Sequence, residues 1–220
     1  MLGVKNITVK ISAFTILRGL TLEVPTGGIV ALVGRNGAGK TTTMRSIMGL
    51  VSVTEGKISL DDHDLGPLPP HHRAKLGIGY LPEDRRLISA LTVEENLLIP
   101  AQAVGLPSAE ARLDSIYGLL PEVRVVATRK AMQLSGGQQK LVALGRSFVN
   151  GKKLLLLDEP FEGISTALSR KLAQAVQEFQ KAEEGLSVLV AESDLKRAAM
   201  LTDSVYVIER GEVAEETSIS

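Results

Sequence analysis

One short segment constrains this chain more than any other. The apolar run Ile29–Val33 ends at Gly34 and is followed directly by Arg35-Asn36-Gly37-Ala38-Gly39-Lys40-Thr41. A continuous apolar pentamer suits a strand buried on both faces of a parallel sheet. Thr41–Met48 then reads as a helix, which puts the glycines in a strand-to-helix turn. The run fits G-x-x-x-x-G-K-[ST], in which backbone N–H groups close around phosphate oxygens and the helix N-terminus adds positive potential. Gly34, Arg35, Asn36, Gly37, Ala38 and Gly39 would form the cradle. Lys40 is expected on the β- and γ-phosphates, Thr41 on Mg²⁺ and Thr42 on a further phosphate oxygen. A glycine-rich turn without a ligand is the plain alternative, and the flanking strand and helix argue against it.

Two further apolar runs, Leu154–Leu157 and Ser187–Val190, match the same kind of buried strand. In open α/β sheets ligands sit beyond the carboxyl ends of the strands. The residues found there are Asp158-Glu159 and Glu192-Ser193. Asp158 is a candidate magnesium ligand, and Glu159 a candidate base for a water beside the γ-phosphate. Ile7–Ile11, Leu20–Val24 and Lys57–Leu60 alternate and read as antiparallel strands. Ser204–Glu209 reads as a strand with a hairpin turn after it. His63–Arg73, with four Gly or Pro residues, reads as a loop carrying three exposed histidines, His63, His71 and His72. Between residues 92 and 150 the pattern becomes helical. Thr92-Val93-Glu94-Glu95 resembles a capping box, Ser108 a cap for a helix to Leu120, and Gln138–Phe148 another helix.

Within that helical stretch lies Leu134-Ser135-Gly136-Gly137-Gln138. With the phosphate loop before it and the Asp-Glu strand after it, the chain resembles the ABC ATPases over nearly its whole length. The resemblance implies an α/β fold: a P-loop NTPase core of ABC type, mainly parallel sheet with an N-terminal antiparallel part. It also implies one nucleotide-binding domain over 1–220, with 92–150 as its helical signature subdomain. In that family two nucleotide domains face each other, so Ser135, Gly136, Gly137 and Gln138 would touch ATP held by a second ABC subunit. ATP and Mg²⁺ are the implied cofactors. Two integral membrane permease subunits and, indirectly, a substrate-binding protein are the implied partners, at the cytoplasmic face of the plasma membrane.

Several positions depart from the family pattern. Glu83 stands where a Gln usually contacts Mg²⁺, and Ser193 where a His usually contacts the γ-phosphate. Ser165 replaces an Asp at the dimer seam. No tyrosine is available near the N-terminus to stack on adenine, leaving Phe14, with Ile11 as a second possibility. The run Pro82-Glu83-Asp84-Arg85-Arg86, followed by Leu91–Leu97, resembles the ATPases of branched-chain amino acid, urea and short-chain amide importers. Arg85, Arg86 and Leu87 are candidates for permease contact. A regulatory partner with weakened hydrolysis in a heterodimeric transporter and a non-transport ABC ATPase are the competing readings.

Composition removes other classes. With 25 basic and 25 acidic residues and 3% aromatics, the chain lacks the basic excess and stacking residues of a nucleic-acid binder. It has no cysteine, which excludes disulfides and thiol catalysis. No run reaches the roughly 18 apolar residues of a membrane span. The Met1-Leu2 start and the Ser-Ile-Ser end match no lipidation motif, and the N-terminal residues do not read as a signal peptide.

Overall fold

In the computed structural model, which describes residues 1–218, two long strands open the chain, β1 (Leu2–Ile11) and β2 (Phe14–Val24). Ile219 and Ser220 of the Ser-Ile-Ser end lie outside the described residues. β3 (Ile29–Val33) then leads into α1 (Lys40–Ile47). β4 (Glu55–Leu60), β5 (His63–Asp64), α2 (Pro70–Lys75) and β6 (Ile78–Leu81) follow. The helical segment holds α3 (Val93–Val104), α4 (Ala109–Leu119), α5 (Pro121–Val125), a 3₁₀ turn at Ala131–Gln133, and α6 (Gly136–Asn150). The chain returns through β7 (Leu154–Asp158), α7 (Thr166–Ala182), β8 (Ser187–Glu192), α8 (Leu195–Ala198), β9 (Ser204–Glu209) and β10 (Glu212–Ser218).

Two sheets result. The smaller is antiparallel, in the order β2-β1-β4-β5. The larger runs β10-β9-β3-β8-β7-β6, all parallel except for the β9–β10 hairpin. Its registers set Val33 opposite Glu192 and Asp158 opposite Ala191. The carboxyl ends of β3, β7 and β8 therefore lie side by side, and the residues beyond them share one edge.

The alternation along β7 and β8 explains why both read as uninterrupted apolar runs. Leu155, Leu157, Val188 and Val190 pack toward the helices, while Leu154, Leu156, Leu189 and Ala191 pack toward α1 and the antiparallel sheet. Each fully buried leucine contributes about 2 kcal/mol in transfer free energy. α7 covers the helix side with Leu172, Ala173, Val176 and Phe179 at three- and four-residue spacing. Phe179 stacks on Phe148 of α6, with ring centroids 4.1 Å apart and planes 7° from parallel. Arg112 of α4 lies over Phe179, donates to the carbonyls of Phe148, Val149 and Gly151, and pairs with Glu183. One cation thus caps the C-terminus of α6 and ties the helical segment to the core.

The helix that Thr92 begins has the expected capping box, with Glu95 N–H donating to Thr92 and Thr92 N–H to the Glu95 carboxylate. Two other expectations are corrected. Ser108 flanks α4 but makes no side-chain cap, because its backbone is turned out of the capping conformation. His63–Arg73 is not a plain loop: it pairs as β5 and then forms α2, opened by Pro70, whose missing N–H costs nothing at a helix start. Arg73 is buried there and donates to the carbonyls of Ser46, Ile47 and Leu68, satisfying the end of α1. His63, His71 and His72 are exposed.

Candidate active site

The site is assembled at the carboxyl edge of the parallel sheet. Gly39 caps α1 with φ 118°, a conformation that L side chains rarely adopt, and it offers no side-chain acceptor. The first-turn N–H groups of α1 are consequently left to an outside acceptor. The loop is braced by Gly34 N–H donating to Glu192 O at 3.1 Å and Ala38 N–H donating to Arg35 O at 3.0 Å. From the side, Gly211 N–H donates to Ala38 O, and Gly211 O accepts from Arg18 N–H, joining β2, the loop and the β9–β10 turn.

Lys40 is buried, and its Nζ donates to Gly34 O at 2.7 Å and to Arg35 O at 3.3 Å. It also pairs with Glu159 Oε1 at 3.0 Å. Thr41 Oγ1 donates to Asp158 Oδ1 at 3.1 Å, and Tyr80 OH approaches Asp158 Oδ2 at 3.5 Å. A pocket of about 440 Å³ is lined by Ile16, Asn36, Gly37, Gly39, Lys40, Thr41, Thr42, Glu83, Glu159 and Glu162. The two expected halves, phosphate loop and acidic strand end, therefore converge on one cavity.

The electrostatics are those of crowded carboxylates. Burial pushes Asp158 up to about 6, with Glu83 and Glu159 adding to the shift and the Thr41 hydrogen bond opposing it. Glu192, directly behind the site, is pushed up to about 7, mainly by burial and then by Glu159. Burial raises the Tyr80 phenol, and Asp158 adds to that. Lys140 of α6 is also buried and is shifted down, first by desolvation and then by Arg85, against the pull of Glu192, Glu162 and Glu159.

Other sequence candidates fall outside this cavity. Phe14 is 73% exposed at the start of β2 and does not line it, whereas Ile16, two residues on, does. Ser193 is the exposed residue after β8. Ser165 caps α7, its hydroxyl accepting from Leu168 N–H. Ser135 is the exposed N-cap of α6, in a full capping box with Gln138. Ser135, Gly136, Gly137 and Gln138 do not line the pocket of their own chain.

The loop after β6 is held by α6. Arg146 donates to Arg85 O at 2.5 Å and to Arg86 O at 2.7 Å, and Arg85 donates to Gln139 at 3.3 Å. Arg85 and Arg86 both have positive φ, 60° and 49°, so the loop keeps a tight shape. Arg86 is exposed and paired with Asp84, while Leu87 is half-buried against the helical core rather than fully presented.

The sequence profile of the ABC transporter family matches residues 17–162, from β2 through the Asp-Glu strand end. The chain belongs to the ABC transporter ATPases. Its relatives include a probable branched-chain amino acid transport ATP-binding protein, LivF, of Archaeoglobus fulgidus, 35% identical over 94% of this chain and 89% of that one. The lipopolysaccharide export ATP-binding protein LptB of Escherichia coli K12 is 33% identical over 96% and 87%. A dimeric ATP-binding cassette in a post-hydrolysis state with ADP and phosphate superposes with a TM-score of 0.88 at 27% identity, over 100% of this chain and 99% of that one. This ABC ATPase is thus an ATP-binding, ATP-hydrolysing subunit of a transporter. No helix among the described residues is long and apolar enough to cross a membrane.

Sequence reading missed several residues that complete the site of this ABC ATPase. Ile16 and Glu162 line the cavity, Tyr80 faces Asp158, and Lys140 and Glu192 lie beneath Glu159. Only the burial of the last two would have marked them, and burial is a tertiary property.

Proposed function

We propose that this chain powers an importer of branched-chain amino acids, urea or short-chain amides from the cytoplasmic face of the plasma membrane. It would pair with a second ABC subunit, bear on two permease subunits and serve a substrate-binding protein. The observation that supports the dimer reading is that the two stretches expected to bind phosphate do not share a pocket. One lines the pocket around Lys40; the other is the exposed N-terminus of α6 at Ser135-Gly136-Gly137. A second chain would bring its α6 N-terminus to nucleotide held by the first.

Lys40 turns from Glu159 to the β- and γ-phosphates as ATP enters. That breaks the 3.0 Å pair and frees the Glu159 carboxylate to polarise the attacking water. Thr42 adds a phosphate contact, and Ile16, which lines the pocket where Phe14 does not, offers the nucleoside an apolar contact. Thr41, Asp158 and Glu83 offer hard oxygen donors suited to Mg²⁺, which when bound neutralises charge on the transferring phosphate. Among the described residues no three acidic or histidine side chains could hold a metal alone, in keeping with a site completed by phosphate oxygens and water. Ser193 carries no charge and lies outside the cavity, which favours slow hydrolysis and supports the second reading, a weakly hydrolysing partner in a heterodimer.

Import is favoured by the Glu83–Arg86 run, its resemblance to importer ATPases, and the name of the archaeal relative. The near-equal identity to an export ATPase is the reason it needs a direct test. The chain should be expressed with its permease and binding-protein genes, and the complex reconstituted in vesicles. ATP turnover is expected to rise when binding protein loaded with leucine, urea or a short-chain amide is added. Failure of all three to stimulate an otherwise active complex overturns the importer assignment.

A further inference from the structure

Glu159 has φ +48°, a left-handed conformation uncommon outside glycine, asparagine and aspartate. Such a residue keeps its shape only when its neighbours hold it. Its N–H donates to Ala191 O at 3.0 Å, and its carbonyl accepts from Glu162 N–H at 3.2 Å. Two residues on, Phe161 N–H donates to the buried Glu192 Oε1 at 3.0 Å. The remaining bond comes from Lys140 Nζ, which donates to Glu159 O at 2.7 Å. Of these contacts it alone originates in the helical segment.

Lys140 is an unusual residue to find there. It is 1% exposed and heads the largest fully buried side chains. Among the described residues, no carboxylate oxygen lies within 4 Å of its ammonium. A buried ammonium is costly to desolvate, and a neutral side chain of similar length would fill the space more cheaply. What the charge does at this position is grip one carbonyl with a charge-assisted hydrogen bond. That carbonyl belongs to the residue whose carboxylate faces Lys40.

We propose that Lys140 is a positioning residue for Glu159: from the helix that begins at the LSGGQ run, it holds the backbone of the general base. Ser135 lies five residues before Lys140 on the same helix, so displacement of α6 on engaging a partner's nucleotide is transmitted to the Glu159 carbonyl. Nucleotide binding by the phosphate loop does not pass through this bond. The inference rests on Glu159 as the base.

The test uses the full chain as Lys140→Met, Lys140→Gln and, in parallel, Glu159→Gln. Met removes the donor at similar volume; Gln keeps an N–H donor without the charge. Binding of ATP without Mg²⁺ and steady-state turnover are measured for each, with thermal denaturation to establish folding. Lys140→Met is expected to lower turnover about 10- to 100-fold, the usual cost of a displaced catalytic group. Its ATP Kd should stay within twofold of the unmodified chain, and Lys140→Gln should recover part of the loss. Wild-type turnover in Lys140→Met, or equal losses in turnover and affinity in both variants, would overturn the proposal. Should Lys140→Met not fold, Lys140→Gln decides: lowered turnover at unchanged Kd supports it, and any other result overturns it. If Glu159→Gln itself retains turnover, the base assignment fails, whatever the lysine variants show.

Discussion

Glu192 is the residue whose replacement gives the most quantitative prediction. Its side chain is 0% exposed at the end of β8. Oε1 accepts from Phe161 N–H, and Oε2 has no hydrogen-bond partner. The facing charges are Arg197 at 4.0 Å, Lys140 and Glu159; burial, with Glu159 adding to it, outweighs the Phe161 N–H, Arg197 and Lys140 and pushes the carboxyl from 4.5 to about 7. In this window the folded state keeps a proton that the unfolded chain has released. Stability therefore falls as pH rises from about 4.5 to about 7 and levels off above that. Integrated between pH 5 and pH 8, the loss is about 2.5 kcal/mol, using roughly 1.4 kcal/mol per pKa unit. For a domain of this length that corresponds to a relative Tm shift of about 5–10 °C. Glu192→Gln removes the titration. Its amide adds a pH-independent cost where Oε2 had no partner, so the offset between the proteins is uninformative and the slope is the observable. Nucleotide-free protein in chelator would be unfolded by heat and by urea at half-unit steps from pH 5 to pH 8. Asp158 titrates in both proteins and drops out of the difference. The stability of Glu192→Gln relative to the unmodified chain should climb by about 2.5 kcal/mol across the range. Parallel curves, or a relative gain for the unmodified chain at high pH, would refute the account of a buried, protonated Glu192.

Two further predictions concern the frame around the site. Gly211 has φ +86°, and a Cβ there would lie 2.0 Å from Ile16 O, so Gly211→Ala must move β2 or the β9–β10 turn. A loss of about 2–4 kcal/mol in urea unfolding is expected, with weaker ATP binding because Gly211 N–H braces Ala38. Phe179→Ala removes the ring between Phe148 and Arg112 and should cost about 3–5 kcal/mol, read by the same assay.

The contrast between what was legible and what was not follows particular residues. Ile29–Val33 and Gly34–Thr41 announce a strand, a turn and a helix start because each property is local: apolar continuity, glycine, and a lysine at fixed spacing. Thr92 and Glu95 read equally well, since a capping box closes within four residues. Ser108 did not, because a cap also depends on backbone conformation, which the chain's entry into α4 decides. The helix in Pro70–Lys75 was hidden by Pro67, Pro69 and Pro70 at its start and is secured by Arg73 binding carbonyls some 26 residues earlier in the chain.

The sequence by itself determined the motifs: a glycine-rich strand-to-helix turn, an acidic strand end and the Leu134–Gln138 helix start, in an order that marks the ABC ATPases. The tertiary structure alone decided how they meet. Strand register sets Asp158 beside Ala191 and Val33 beside Glu192, bringing Lys40 to Glu159 across 119 positions of chain. It also buries Lys140 and Glu192 under that pair. Spacing reports what neighbours along the chain can do, whereas desolvation, which governs both of those charges, depends on everything packed around them.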